Sequence, residues 1–421
     1  MSGYTQDAVA DVGVLASLRY VENALQFQGA DADDLVRGLA IYGNFSRESE
    51  RLFASLSYSA NKEDYKNNLQ RDRSYIQGTG LLEYRLVPDV LSWQLSNTRL
   101  NTVQDLSQPD NPDNQQVVDI TRTGPTLTFP VSSATLLVLA LEYSEADYER
   151  SGRIDQQNKT ATSSLSHEFS QVLTGSINAS YAESEFRDSG LAGYDISTIS
   201  LVTDFDYDSL TLSLEVGTQN INTGAAGNSS DTLKNATVEY QLNSRSSVSL
   251  RYRDAVVDQL RNLTLFGAYY TYDFESYTQS PVELGSTNLY GLYSNVSVTT
   301  SYSYEVDGRF NFQLGYSDNE RNYGTGRRDE ASESLFANFG IPLSDRAGLN
   351  FSARFAEFTY SQFDSSRQER QTFFAGFDYR SSDNLSFRFS VTDLDQDSQD
   401  DLTNFEDFTA FLSVSYRFLG F

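Results

Sequence analysis

Cysteine is absent from the 421 residues and histidine occurs once, as His167. Without cysteine there is neither a disulfide framework nor a thiolate metal site. No stretch approaches the roughly 20 consecutive apolar residues that a membrane-spanning helix needs. Hydrophobic residues make up 39% of the chain and the mean hydropathy is -0.46, which together exclude a helical membrane protein. Walker and dinucleotide-type glycine patterns are missing, so no cofactor is expected. Linkers, composition breaks and βα alternation are also missing, which favours one domain over residues 1–421. The net charge of -27 argues against nucleic acid as a partner, because phosphate binding needs clustered Lys and Arg.

What the chain has is aromatic residues, 27 Tyr and 27 Phe, set in alternating patterns. Successive side chains of a strand point to opposite faces, so strict alternation marks a sheet with one apolar face. The C-terminal stretch shows it most plainly. Phe408, Ala410, Leu412, Val414, Tyr416 and Phe418 share one parity; Thr409, Ser413, Ser415 and Arg417 take the other, with Phe411 among them. A long alternating strand with Tyr-x-Phe near its end looks like the signal strand read by a barrel-assembly machinery. Tyr416, Phe418 and the terminal Phe421 are its candidate recognition residues. Leu419, Gly420 and Phe421 follow the usual stopping point, which predicts a register extended or shifted by a few residues.

The same hairpin recurs along the chain, with alternation, a short polar turn, alternation again and a longer polar loop. Val12–Tyr20 opens it and Glu22–Asp34 is the first long loop. Leu35–Phe45 returns through SRESER to Leu52–Tyr58, ahead of a predicted loop NKEDYKNNLQRD. Ile76–Leu86 turns at Pro88-Asp89, where a proline removes no ladder donor. DLSQPDNPDNQQ and the Gly/Asn/Ser-rich stretch Gly217–Asp231 read as further loops. Residues 255–295 are least regular, with Leu263, Leu265, Gly267 and Tyr269 either an extra strand or part of a structured loop.

Short turns alternating with long loops predict an all-β fold: a single transmembrane antiparallel up-and-down barrel. Its short turns would be periplasmic, its long loops extracellular, and its strands about 20, with about 18 to about 22 as the range. A soluble sandwich, propeller or β-helix is the rival, but no blade motif repeats. A barrel of this kind belongs in the outer membrane of a Gram-negative bacterium. The start MSGYTQDAVADVG has no basic n-region or apolar h-region, so the sequence reads as a mature form with an added initiator Met. Outer-membrane lipid and lipopolysaccharide are the expected surroundings.

If the apolar parity meets lipid, the other parity lines the lumen. It carries Arg19, Glu83, Arg85, Glu142, Asp204, Glu215, Glu239, Arg251, Arg253, Arg309, Arg354, Arg388 and Arg417, with Ser, Thr, Asn and Gln between them. Inward charges are costly without water or partners, which predicts a wet or salt-bridged interior. Either the charges set selectivity or they brace the wall. Phospholipase, deacylase and omptin-type barrels each need a catalytic His. His167 shares parity with Leu165 and Phe169, and HEFSQ lacks the second His of a zinc helix, so an interfacial, non-catalytic residue is expected. Asp393, Asp395 and Asp397 resemble the opening of a calcium loop. Ser398 stands where its Gly belongs and Asn404 where its closing Glu belongs, leaving at most loose divalent binding by a loop.

YVENALQ after the first strand, YRLVPDVLSWQLSNTRLN, TGPTLTFPVS and the final SYRF together resemble the β-barrel porins encoded with exopolysaccharide and PEP-CTERM/exosortase systems (the EpsL-like group). Glu22 stands where that group tends to have Asp. The resemblance implies an outer-membrane pore or scaffold for polysaccharide export, working with periplasmic export components, and it supplies no catalytic residues. A plugged barrel that docks secretion partners, with 255–295 as the infolded loop, is one alternative. A general or sugar-selective diffusion porin is another. A TonB-dependent transporter is disfavoured because no plug domain precedes the first strand. Sugar faces stacking on inward Phe336 and Phe411 would help a saccharide along. The net charge favours cations or neutral solutes, subject to local reversal by inward Arg.

Overall fold

In the computed structural model the described residues are 9–25, 32–103, 114–150, 155–187, 192–224, 228–258, 292–306, 308–322, 329–361, 366–398 and 404–420. They form strands β1 (Val9–Val21), β2 (Asp34–Glu48), β3 (Leu52–Tyr65), β4 (Arg73–Val87) and β5 (Leu91–Val103). Next come β6 (Gln115–Ser132), β7 (Thr135–Tyr148), β8 (Gln156–Ser170), β9 (Leu173–Phe186) and β10 (Tyr194–Tyr207). β11 (Leu210–Asn222), β12 (Asn228–Asn243), β13 (Ser246–Asp258), β14 (Leu292–Val306) and β15 (Phe310–Asn322) follow. β16 (Asp329–Ser344), β17 (Ala347–Ser361), β18 (Ser366–Ser382), β19 (Leu385–Ser398) and β20 (Phe405–Gly420) complete the sheet. Each strand pairs antiparallel with its chain neighbours, and β20 pairs with β1, so the 20-stranded sheet closes into a barrel with no free edge strand.

The closing seam explains the extra C-terminal residues. Gly13 faces Arg417 and Val12 faces Leu419, so Phe418 is the added residue of a β-bulge. The alternating strand therefore continues past the usual end after one slip. The Tyr42 ring lies over Gly13, where any Cβ would overlap it, and Asp11 pairs with Arg417 at 3.7 Å across the seam. Phe421 lies outside the described residues.

The apolar parity points outward on strand after strand. Leu139 and Leu141 on β7, Leu165 on β8, Ile177 on β9, and Ile199 and Leu201 on β10 are all exposed on the outer wall. Aromatic rings bound this band toward the short turns, with Phe310, Phe339 and Phe351 in line at 5.7 and 6.5 Å between centroids, and Tyr379 against Phe387 at 6.3 Å. Toward the long loops a second row includes Phe355 and Phe373, 5.4 Å apart, and tyrosines whose hydroxyls turn to acids above them. Tyr181 donates to Asp195 at 3.1 Å and Tyr316 to Glu333 at 3.2 Å. Along β8 the band runs from Phe169 up to Lys159. At ~3.3 Å per residue and a tilt of ~40° this is about 25 Å of height, the thickness of an outer-membrane apolar belt.

The strands outrun the sequence pattern at the long-loop end. Residues 61–65 of the expected NKEDYKNNLQRD loop belong to β3, and residues 217–222 and 228–231 of the Gly/Asn/Ser stretch belong to β11 and β12. Above the lipid belt both faces of a strand meet polar surroundings, so alternation fades while the hydrogen-bonded ladder continues. Asp393, Asp395 and Asp397 are corrected for the same reason: they lie on β19, at every second position of its outer face, and not in a loop. Of the irregular region, 255–258 and 292–295 are strand; Leu263, Leu265, Gly267 and Tyr269 fall outside the described residues. At the opposite end Asp89 and Asp208 take left-handed backbone (φ 61 and 53), as tight two-strand turns demand.

Candidate functional site: the barrel lumen

Side chains of the second parity share the interior. The structure places Arg19, Glu83, Arg85, Glu142, Asp204, Glu215, Glu239, Arg251, Arg253, Arg354, Arg388 and Arg417 on strands with that inward parity. Arg309 is the exception. It sits in the short turn before β15, its amide bonded to the Val306 carbonyl at 2.9 Å, and so belongs to the rim, not the wall.

Between the charges run hydroxyl and amide contacts that repeat from strand to strand. Ser249 meets Ser301 at 2.8 Å, Thr299 meets Ser317 at 3.1 Å, and Asn338 donates to Gln313 at 3.1 Å. Such pairs satisfy polar groups across a sheet face and leave lone pairs and protons for water.

Charge is distributed unevenly around the ring. From β13 to β1 the inward cations are arginines, several in ion pairs: Arg321 with Glu330 at 3.3 Å, Arg388 with Asp378 at 2.5 Å, Arg417 with Asp11. Arg19 lies 3.7 Å from Glu63, which also takes Arg73 at 3.8 Å. Farther round, Arg85 reaches Glu83 at 3.4 Å and Glu48 at 3.5 Å, and Arg122 reaches Glu142 at 3.8 Å. On β8–β12 the inward positions hold no Arg and no Lys. The carboxylates there meet neutral donors: Ser213 gives a hydrogen bond to Asp204 at 2.6 Å, and Ser200 and Asn235 each give one to Glu215 at 2.7 Å. Neutral donors satisfy a carboxylate's lone pairs without cancelling its charge. In a ring of 20 strands β10 stands opposite β20, so an acidic wall faces an arginine wall across the lumen.

Toward the long loops the interior is packed with apolar side chains, where inward parity predicts a wet or salt-bridged wall. On the inner face of β6 and β7, Val118, Ile120 and Ala146 are 0%, 1% and 0% exposed. Tyr194, Ile196 and Ile221 form a buried cluster with Phe186, Val256 and Leu292 packed on it. The cause is a departure of β13 from β12. Their ladder ends at Lys234–Asp254, whereas β13 runs on to Asp258 with β14 beside it and β12 keeps its pairing with β11. The freed end of β13 crosses to the inner wall. There Gln219 of β11 accepts from the Val256 amide at 2.8 Å and donates to the Val256 carbonyl at 3.2 Å. Ser184 of β9 donates to the buried Asp258 at 3.4 Å. The lumen therefore narrows at its extracellular end around described residues of β13 and β14.

His167 lies on the outer face beside the short-turn aromatic row, 2.8 Å from the Thr135 hydroxyl and edge-on to Phe169 at 4.7 Å. Asp393 pairs across the sheet with Phe373 and Phe408. No group of three or more metal-ligating side chains occurs among the described residues.

The fold is similar to that of two Pseudomonas aeruginosa receptors. The siderophore receptor PirA matches with a TM-score of 0.53 at 13% identity, over 99% of this chain and 81% of that one. A mutant of the ferric enterobactin receptor PfeA matches with a TM-score of 0.53 at 11% identity, over 98% of this chain and 80% of that one. P. aeruginosa OccK8 (OprE) aligns over 100% of both chains at 11% identity with a TM-score of 0.44. No protein-family model matches the sequence, and no curated protein matches it. At these identities the likeness is one of architecture: the chain is a closed antiparallel barrel of the Gram-negative outer-membrane type.

Proposed function

We propose that the chain, as one domain over residues 1–421, is an outer-membrane conduit for hydrophilic solutes, and that its role is in exopolysaccharide export. The observation that carries this reading is the inner wall. Below the packed upper end it presents hydroxyls, amides and charges, while the outer wall presents a predominantly apolar belt. A wall of that kind holds water, and a water-filled barrel passes polar solutes without chemistry. Polysaccharide and periplasmic export components are the proposed partners, lipopolysaccharide the lipid environment, and the barrel-assembly machinery the reader of the Tyr416–Phe418 end. The sequence features shared with the EpsL-like barrels support the export role over general diffusion. His167, on the lipid face, has no part in it.

A second reading has an observation of its own. The infolded end of β13 fits a plugged barrel that docks secretion partners. Single-channel recording of refolded protein in a planar bilayer separates the two. Stable ohmic steps that added oligosaccharides interrupt support the conduit. Silence from protein proven folded and inserted supports the plugged scaffold.

A further inference from the structure

Three inward phenylalanines on one side of the lumen each have an arginine on a neighbouring strand. Phe336 of β16 is directly opposite Arg354 of β17, and Phe411 of β20 is directly opposite Arg19 of β1. Between them the Arg370 guanidinium of β18 lies 5.3 Å from the Phe358 ring centre of β17. Arg370 also donates through Nε and Nη2 to one oxygen of Gln396, at 3.1 and 2.8 Å, which fixes the plane of the fork. The Phe336 ring is supported from the side of β15: it lies over Gly315, where a Cβ would overlap it. Thr372 and Thr392 fill half-buried inward positions between the three rings, with Ser390 and Ser413 buried beside them.

We infer that the inner wall from β16 round to β1 is a binding track for acidic saccharides, with the pairs Phe336–Arg354 and Phe411–Arg19 at its centre. This rests on the reading of the lumen as open to polar solutes, and it names the class of solute. A pyranose offers an apolar C–H face, a rim of hydroxyls and, in a uronate, a carboxylate. An aromatic face takes the first, threonine hydroxyls take the second, and the planar fork of arginine takes the third through paired hydrogen bonds. Lysine would supply charge without the fork, and the inward positions of β16–β20 contain none. The opposite wall strengthens the selection. The carboxylates of Asp204 and Glu215, whose hydrogen-bond donors are neutral, repel an anion toward the arginine side. A nucleic acid strand would also stack and pair with arginine. Its charge on every residue is, however, much denser than a track on which Asp378, Asp11 and Glu63 already pair with Arg388, Arg417 and Arg19 can match in a chain of net charge -27.

The test compares a six-residue oligogalacturonate with neutral maltohexaose as blockers of the refolded full chain in a planar bilayer. Calorimetric titration of the detergent-solubilised protein with the same two sugars runs in parallel. The acidic oligomer is expected to half-block, and to bind, at a concentration at least about tenfold lower than the neutral one. R19Q/R354Q should erase that preference, and F336A/F411A should weaken both sugars. Should R19Q/R354Q not fold, R354Q alone carries the same comparison. Equal block by the neutral sugar, a preference that survives loss of the arginines, or stronger block by an oligodeoxynucleotide of equal charge overturns the inference while leaving the conduit intact. A silent barrel that still binds the uronate in the calorimeter overturns the conduit and keeps the track. A silent barrel with no binding overturns both.

Discussion

A carboxamide stands in for a peptide group where β13 leaves β12. Gln219 offers the Val256 backbone the acceptor and the donor that a neighbouring strand would have offered, in a buried setting. Both backbone groups lose their partner in Gln219→Ala, at a cost of about 1–3 kcal/mol. Urea unfolding of the refolded barrel should report that loss, and the single-channel conductance should rise as the crossing segment loosens. Glu215 makes the contrary case. Its donors are Ser200 and Asn235, so Glu215→Gln keeps a hydrogen-bonding group of the same shape and loses the charge. Stability should change by less than about 1 kcal/mol. Reversal potentials in a salt gradient should shift toward anions, and an unchanged reversal potential would remove the acidic wall from any role in selectivity.

At the scale of the element, parity decides what a strand tolerates. Leu139 faces lipid in mid-belt, while Ala140 beside it faces the lumen between Thr126 and Thr162. Leu139→Arg should cost about 2–4 kcal/mol, and Ala140→Arg should leave the folded fraction near that of the parent, read from heat-dependent mobility on a gel. Much of the strand order was legible in the sequence because lipid on one side and water on the other impose a period of 2. Leu82, Tyr84 and Leu86 against Glu83 and Arg85 show it directly. Where that contrast ends, so does legibility. β3 continues through Asn61–Tyr65 and β19 through Asp393–Asp397 with no apolar outer face to betray them. The packed upper interior was hidden for the opposite reason: Ile120, Ile196 and Ile221 stand at inward positions, where an apolar residue reads as noise in the alternation. Gln219 carried no signal at all, since nothing local separates a glutamine lining water from one that pairs with a distant backbone. Arg309 fell one residue short of its strand.

For the molecule as a whole, the decisive quantity is the field between the walls. The net charge of -27 favours cations in the approach to the barrel, while the wall near Arg19 and Arg354 favours anions once inside. The two act over different distances. Approach steering is screened over about 8–10 Å at ordinary ionic strength, and contact pairs within the lumen much less. Raising the salt from about 0.1 to about 1 M, where the screening length falls to about 3 Å, should therefore weaken selectivity among small ions more than it weakens block by an oligogalacturonate. Parallel measurement of both on one preparation checks this, and equal losses would place block at the mouth and not at the inner wall.

The parting of β12 from β13 also has a kinetic side. Below Lys234 the strand is laddered on both edges; from Asn228 to Leu233 it is laddered to β11 alone. Backbone amides that point away from β11 in that stretch lack the second ladder's protection, so deuterium should enter them long before it enters Ala236 or Val238 on the same strand. The cylinder thus has a short exposed border along β12, six residues long from its loop end, and its opening can be timed with heavy water.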